Sequence, residues 1–298
     1  EKDSIRTEHS LHVTNLLSFL ESHVCNGRLT LSTGVPVPTS DISSASTLYF
    51  TPFNGNRISL YVPNYGARIY SFSELSLDLS GLTSDKNYDI FIYDNEGSLP
   101  LQALSWSNNP LRATSLQLQD GVYCKNGDLT CRYLGTIHII SAGGASADSK
   151  TLRFVWNLYN RCTRPIYIHE STNSWTYNVR TWRPLNNNTD NRIQFVIGLN
   201  LDPVSLEAWV YATNDAEGYF AIGIALDATN SNDADLRSAN KVDLTNIQAI
   251  YLNNIAIGFH YLQITEWADN IGDTLFYGYI AGVYSTLQNS GGLGWLIN

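Results

Sequence analysis

The segment Phe220-Ala-Ile-Gly-Ile-Ala-Leu226 decides the fold, because large apolar side chains alternate in it with Ala or Gly. A period of two is that of a β-strand, whose successive side chains point to opposite faces of a sheet. The small side is expected to meet a close-packed neighbour. The same alternation recurs in Ile193/Phe195/Ile197/Leu199 and in Leu152/Phe154/Trp156/Leu158. The sequence therefore predicts a mainly β protein.

Further strand-like runs follow one another at short intervals from residue 28 onward, and turn clusters such as Asp94-Asn-Glu-Gly97 separate them. This spacing is typical of antiparallel sandwiches. The Gly- and Ser-rich stretch Ser141 to Lys150 is expected to be a loop at a domain edge. The predicted organisation is a short N-terminal helix that serves as an attachment element (1–27), a first β-sandwich domain (28–150) and a second, jelly-roll-like domain (151–298).

The segment from Thr7 to Val24 is the one amphipathic helical pattern ahead of the strands. Its apolar residues step by four, three and four and form an a/d seam that suits self-association: Val13, Leu17, Leu20 and Val24. The seam is only about one and a half heptads long, and isolated helices of this length are marginal. The helix is therefore expected to attach the protein, while the β-domains stabilise the oligomer.

Composition excludes several classes of function. Lys and Arg total 18 against 27 Asp and Glu, so no basic face for nucleic acid is expected. Eighteen consecutive apolar residues do not occur, which argues against a transmembrane helix. Phosphate-binding loops, dinucleotide fingerprints and serine-hydrolase elbows are also absent from the sequence. We expect a protein that is not an enzyme, needs no cofactor and binds neither nucleic acid nor membrane.

Two of the four cysteines, Cys124 and Cys131, flank a hairpin signal. A two-residue turn at Asn126-Gly127 would place Cys124 opposite Leu129, whereas a four-residue turn would place it opposite Cys131 and permit a disulfide. The sequence leaves both arrangements open.

Oxygen-bearing side chains are concentrated between residues 227 and 235, and those of Asp227, Asn230, Asn232 and Asp233 could hold a hard cation such as calcium. The segment lacks the glycine and the final glutamate of a helix-loop-helix calcium site. A polar turn at the tip of a jelly roll, without metal, explains the same residues.

Trp175, Tyr177 and Trp182 lie close together in the sequence beside an Asn-rich segment. Exposed aromatic rings next to amide groups could stack on sugar rings and bind a carbohydrate. The alternative is that these rings fill the junction between the two domains.

Several stretches carry a resemblance to known proteins, among them Arg28-Leu-Thr-Leu-Ser-Thr-Gly-Val-Pro-Val-Pro-Thr-Ser-Asp41, Tyr88-Asp-Ile-Phe-Ile-Tyr-Asp-Asn95 and Glu170-Ser-Thr-Asn-Ser-Trp-Thr-Tyr177. From Arg28 to the C-terminus the chain resembles a module that recurs in virion and fibre-type proteins of tailed bacteriophages. These motifs are structural and contain no catalytic residue. The helix before Arg28 has no counterpart in the resemblance.

The C-terminal series, with Gly258-Phe-His-Tyr-Leu-Gln-Ile-Thr265 and the terminal Gly-Leu-Gly-Trp-Leu, also resembles the jelly-roll heads of tumour-necrosis-factor-like and complement-type trimers. The two resemblances imply a non-enzymatic, homotrimeric virion protein, assembled in the host cytoplasm. It would project from the particle as a head fibre or capsid decoration (cement) protein, or as a tail fibre. Its expected partners are its own copies, a major capsid or tail adaptor protein, and a host-surface glycan. A carbohydrate- or receptor-binding adhesin of a tail tip or cell surface is the alternative.

Overall fold

A computed structural model describes residues 21–236, 238–239, 242–278 and 290–298. A 3₁₀ turn covers Leu185–Asn187, and the remaining regular elements are the following strands: β1 Gly27–Thr30, β2 Ile42–Ala45, β3 Thr47–Pro52, β4 Arg57–Val62, β5 Gly66–Ser71, β6 Leu75–Asp78, β7 Lys86–Ile92, β8 Leu101–Ser105, β9 Leu116–Gln119, β10 Val122–Lys125, β11 Asp128–Ile139, β12 Ser146–Asp148, β13 Leu152–Arg153, β14 Val155–Asn157, β15 Thr163–Glu170, β16 Ser174–Thr176, β17 Arg183–Pro184, β18 Arg192–Ile197, β19 Pro203–Asn214, β20 Phe220–Leu226, β21 Asp235–Leu236, β22 Ser238–Ala239, β23 Thr245–Asn254, β24 Gly258–Ala268, β25 Thr274–Tyr277 and β26 Ser290–Ile297. The mainly β fold predicted from the alternation is confirmed.

The chain divides into two compact units. The first runs to Asp148 and also includes Phe154–Cys162, whereas the second comprises Ser149–Arg153 and Thr163–Asn298. The chain therefore passes from one unit to the other three times between residues 148 and 163, and a single linker does not join the units.

The first unit is built on the long strand β11. One edge of β11 pairs with β7, and the other pairs with β10 and then with β14, so that the order β8-β7-β11-β10-β9 results. A three-stranded antiparallel sheet, β1-β3-β6, and the β4-β5 hairpin accompany this sheet. Strand β7 is buried at almost every position, and it supplies apolar side chains to one continuous core cluster. The members of that cluster at the centre of the strands include Leu29, Leu48, Phe50, Ile58, Ile90, Leu134 and Ile137.

Strand β1 lies at the edge of its sheet, and its open side is closed by an asparagine. The side chain of Asn157 accepts a hydrogen bond from the Leu29 N–H at 2.7 Å and donates one to the Leu29 carbonyl at 3.2 Å. The amide thus replaces the neighbouring strand that an edge lacks. Asn160 continues the closure, because its amide donates to the carbonyls of Cys25 and Gly27.

The second unit consists of two sheets. In one, β13 pairs in parallel with β18, and antiparallel pairing continues through β24, β20 and β22. In the other, the order is β15-β26-β19-β23-β21, with β25 on the second half of β19 and β16 on β25. When the strands β15, β18, β19, β20, β22, β23, β24 and β26 are numbered one to eight, the sheets have the orders 1-8-3-6 and 2-7-4-5. This arrangement is jelly-roll-like.

The core of the second unit lies between these two sheets. A Cβ on Gly292 of β26 would come within 3.1 Å of both Leu206 of its own sheet and Ile264 of the opposite one. Phe220 and Phe276 meet edge to face across the same interior, with ring centroids 6.2 Å apart. The alternation that predicted β20 is confirmed for Phe220, Ile222 and Ile224, which are fully buried in this core, whereas Leu226 at the end of the strand is partly exposed.

Three of the four residues of the predicted helix seam lie outside the described residues, namely Val13, Leu17 and Leu20. Val24 is described and is not helical. Its carbonyl accepts hydrogen bonds from the Ser59 N–H at 2.8 Å and from Arg132 Nη1 at 3.0 Å. The expectation that Val24 extends a helical seam is therefore wrong, because this residue is tied to the first β-unit.

We expect the Asn157→Ala variant to lower the free energy of unfolding of the first unit by about 3 kcal/mol, because it leaves a buried N–H and a buried carbonyl without partners. Chemical denaturation monitored by circular dichroism measures the change. Asn56→Ala is the matched control, since Asn56 is exposed, and it should lie within about 0.5 kcal/mol of the wild type. Equal stability of the two variants would contradict a role for Asn157 in closing β1.

Candidate functional site

The structure separates the three aromatic residues that the sequence grouped as a carbohydrate site. Trp175 stacks on Phe276 at 5.8 Å and donates its Nε1 hydrogen to Glu266. Tyr177 is buried, and its hydroxyl donates to the Thr181 carbonyl at 2.6 Å. Of the three, only Trp182 lies beside another partly exposed ring, that of Trp267. Two of the three rings therefore pack within the second unit.

Glu266 is the buried centre of this packing. Its carboxylate accepts hydrogen bonds from Trp175 Nε1 at 2.6 Å, from Arg183 Nε at 2.7 Å and from the Asn186 backbone N–H. The guanidinium of Arg183 also lies 3.8 Å above the ring of Tyr177. Since β24 and β16 belong to opposite sheets, the bond to Trp175 joins the two layers of the unit.

The protonation of Glu266 is shifted by its surroundings. Burial raises the pKa of this carboxyl to about 7, although the hydrogen bonds from Trp175 and Arg183 act in the opposite direction. A carboxyl with such a pKa could serve as a general acid. Its complete enclosure and its bridging hydrogen bonds instead mark it as a group that holds the end of the sandwich together.

Next to this centre, on the outer side of the β17-β24-β20 sheet, lies an open cleft of about 600 Å³. We call it the aromatic cleft, and its lining residues are Arg180, Tyr219, Trp267, Asp269 and Ile271. Tyr219 and Ile271 are 52% and 47% exposed. The ring of Trp182 lies beside that of Trp267, with centroids 6.5 Å apart. Of the predicted aromatic site, Trp182 thus borders an exposed surface.

Charged groups in the aromatic cleft are fixed by short contacts. Arg180 donates from Nε to the Asp269 carbonyl at 2.5 Å. The Asp269 carboxylate accepts the Ile271 N–H at 3.0 Å, and its backbone N–H donates to the Tyr219 carbonyl at 2.9 Å. The cleft therefore combines aromatic surface with one cation and one carboxylate.

Sequence reasoning missed Trp267, Tyr219 and Arg180. Trp267 follows the buried Glu266 in β24 and therefore points to the outer side of the sheet, where Ala221 of β20 lies directly opposite it. Tyr219 is two residues before Ala221, so it lies on the same side. The pairing of Ala221 with Trp267 brings together residues that are far apart in the sequence, and no local pattern predicts that register.

In the loop predicted as a calcium site, three of the four side chains accept hydrogen bonds from other groups of the protein. Asp227 accepts hydrogen bonds from His260 and from a backbone N–H of β24, and Asn232 and Asp233 accept from backbone N–H groups of β20. Asn230 is exposed. Across the described residues, no group of three or more His, Cys, Asp or Glu side chains is placed to hold a metal ion. The calcium site stays a prediction that would require these oxygens to exchange their N–H partners.

The hairpin turns at Asn126-Gly127, as the first of the two alternatives predicts, but the register beyond the turn differs from both alternatives. Cys124 pairs with Arg132, Lys125 pairs with Asp128, and a bulge separates the two pairs. Cys124 and Cys131 are free thiols, and the Cys131 thiol donates to Asp128 at 3.1 Å. Burial raises the pKa of both thiols to about 11. The two thiols are not bridged, because Arg132, and not Cys131, lies opposite Cys124.

A second surface lies on the opposite side of the same unit, where large apolar side chains point outward from the β15-β26-β19-β23 sheet. We call it the outer apolar face. Its most exposed members are Tyr167 (38%), Leu293 (53%), Ile250 (46%) and Leu252 (56%). Trp209, Tyr211 and Trp295 alternate with buried residues on the same strands and are partly exposed. Apolar patches of this extent commonly mark protein–protein contacts.

Among the described residues, no helical segment has the length and hydropathy needed to cross a bilayer.

We expect Glu266 to make stability depend on pH. Because its pKa in the folded protein, about 7, lies above the usual 4.5, folding binds the proton more tightly, so this contribution is present below about pH 4.5 and is lost as the pH rises through 7. The stability of the wild type relative to Glu266→Gln should therefore fall over that window. Thermal unfolding from pH 4 to pH 8 measures it. Glu96→Gln, which alters an exposed carboxylate of the first unit, is the control, and parallel curves for wild type and Glu266→Gln would contradict the shift.

No protein-family model and no curated protein matches the chain. Similar solved structures include the insecticidal delta-endotoxin Cry8Ea1 from Bacillus thuringiensis (8% identity, TM-score 0.25, 94% of this chain and 55% of that chain). They also include BuGH86wt in complex with neoagarooctaose (6% identity, TM-score 0.25, 86% of this chain and 33% of that chain). A third is infectious bursal disease virus, Gx strain (13% identity, TM-score 0.25, 89% of this chain and 79% of that chain). The chain thus spans about half the length of the first of these proteins and about one third of the length of the second.

Proposed function

We propose that the chain is a non-enzymatic structural protein of a bacteriophage virion and that it assembles as a homotrimer through its second unit. The sheet orders 1-8-3-6 and 2-7-4-5 support a jelly-roll head, an architecture used in viral capsids. Its most buried carboxylate, Glu266, is held by three structural hydrogen bonds. This supports a structural role for a group whose raised pKa is otherwise typical of an acid catalyst.

The outer apolar face is the observation that carries this proposal. Strand register places Tyr167, Leu293, Glu207 and Ile250 in one row across four strands. The adjoining row contains Pro165, Trp295, Ser205 and Leu252. Burying such a face removes apolar area from water, at roughly 25 cal/mol per Å². Association is the ordinary way in which a sheet gains this stabilisation.

The charge of the face favours copies of the same chain as occupants. The protein carries a net charge of −9, so identical subunits repel one another. On the outer apolar face, Glu207 is the only carboxylate within the described parts of β15, β26, β19 and β23, and Asp235 lies at the edge strand. A contact that is nearly free of charge adds little local repulsion, and rotational symmetry closes it into a ring.

In a virion, the assembled heads would project from the particle as a head fibre or capsid decoration protein, or as a tail fibre. The partner at the base would be a major capsid protein in the first case and a tail adaptor protein in the second. The position of the protein in a virion density map distinguishes these placements.

Light scattering coupled to size-exclusion chromatography tests the assembly. We expect a mass three times that of the 33.2 kDa chain for the wild type. The double variant Ile250→Asp/Leu252→Asp should have the mass of a single chain, because it would bury six carboxylates in the trimer without partners. Leu118→Asp is the matched control, since Leu118 is 58% exposed on a strand of the first unit, and it should remain trimeric.

A wild type of single-chain mass would overturn the proposal, and so would a double variant that stays trimeric. Circular dichroism of the double variant must show intact β-structure, which both altered positions should allow because they are exposed. Dissociation of the Leu118→Asp control would place the interface elsewhere.

A further inference from the structure

We propose that the aromatic cleft is a saccharide-binding site, in which the rings of Trp267 and Tyr219 stack on the apolar face of a pyranose. The guanidinium of Arg180 and the carboxylate of Asp269 would bind its hydroxyl groups. This inference goes beyond assembly and concerns the opposite sheet of the second unit.

The strand register places the two rings on one side of the sheet. Trp267 pairs with Ala221, and the Asp269 N–H donates to the Tyr219 carbonyl, so the pairing of β24 with β20 continues one residue beyond the ends of both strands and brings Trp267, Asp269 and Tyr219 together. Tyr219 is 52% exposed and Trp267 is partly exposed, so both rings are open to solvent. A flat ligand can therefore reach aromatic surface on adjacent strands.

Arg180 is held ready for a ligand. Its Nε donates to the Asp269 carbonyl, whereas its two terminal nitrogens have no hydrogen-bond partner among the described residues. Pairing through Nε restricts the side chain before binding, which reduces the entropy that binding must overcome. The two terminal groups form a fork that suits adjacent hydroxyl oxygens or a sugar carboxylate.

The composition of the cleft favours a saccharide over a purely apolar ligand. Its volume of about 600 Å³ is within the usual range of small-molecule sites, and its lining joins aromatic faces to a few fixed polar groups. Aromatic rings present an apolar body, while saccharide hydroxyls need the donors and acceptors that Arg180 and Asp269 provide. An apolar partner would desolvate both charged groups without offering them new hydrogen-bond partners, at considerable cost.

A printed array of neutral and acidic oligosaccharides, probed with the fluorescently labelled full chain, tests the site. The best-bound oligosaccharide is then titrated in solution by calorimetry against four variants. We expect Tyr219→Ala, Arg180→Ala and Trp267→Ala each to raise Kd by about tenfold or more, equivalent to about 1.4 kcal/mol. Tyr65→Ala, at an 84% exposed tyrosine of the first unit, is the control and should bind like the wild type.

Tyr219→Ala and Arg180→Ala alter exposed side chains, so they keep the test decisive even if Trp267→Ala is unstable. Failure of the wild type to bind any array member would overturn the proposal. Wild-type affinity in both Tyr219→Ala and Arg180→Ala would also overturn it, because the saccharide would then bind elsewhere. The Ile250→Asp/Leu252→Asp variant should keep its calorimetric Kd, so failure of trimer assembly is distinguishable from failure of saccharide binding.

Discussion

The structure depends on buried polar side chains that satisfy groups on a different sheet. In the first unit, Asn157 of β14 takes both backbone hydrogen bonds of Leu29 at the open edge of β1. In the second, Glu266 of β24 accepts the indole hydrogen of Trp175, which belongs to the opposite layer. A buried group without a partner costs more than a typical hydrogen bond contributes. These contacts therefore fix which strands lie together, beyond what nonspecific apolar packing specifies.

The position of Glu266 in turn explains where the aromatic cleft lies. Arg183 donates a hydrogen bond to the Glu266 carboxylate on the inner side of the sheet. The preceding residue, Trp182, therefore lies on the outer side of the sheet, beside Trp267. Alternation along β24 directs Glu266 to the core and Trp267 outward. The same short segments thus connect the two layers and provide an exposed aromatic surface.

Local pattern was sufficient for the strands and their buried faces. The alternation in Phe220 to Ile224 and in Ile193 to Ile197 predicts side chains that do fill the core, since burial imposes the period of two. Pairing between distant segments was not predictable in this way. The bulge between Cys124 and Lys125 places Arg132 opposite Cys124, and Trp175 turns inward because Glu266, 91 positions away, accepts its hydrogen. Such contacts depend on register, which sequence spacing alone does not specify.

The two surfaces of the second unit lie on opposite sheets, and this bears on how assembly and recognition would combine. Burying the outer apolar face of the β15-β26-β19-β23 sheet in a trimer would leave the aromatic cleft of the other sheet uncovered. Three clefts on one assembly would bind a repetitive polysaccharide with an effective concentration set by their spacing, so weak individual affinity becomes strong attachment. One open cleft with two aromatic rings on each subunit would then be adequate for attachment to a polysaccharide, provided that the trimer assembles before it binds.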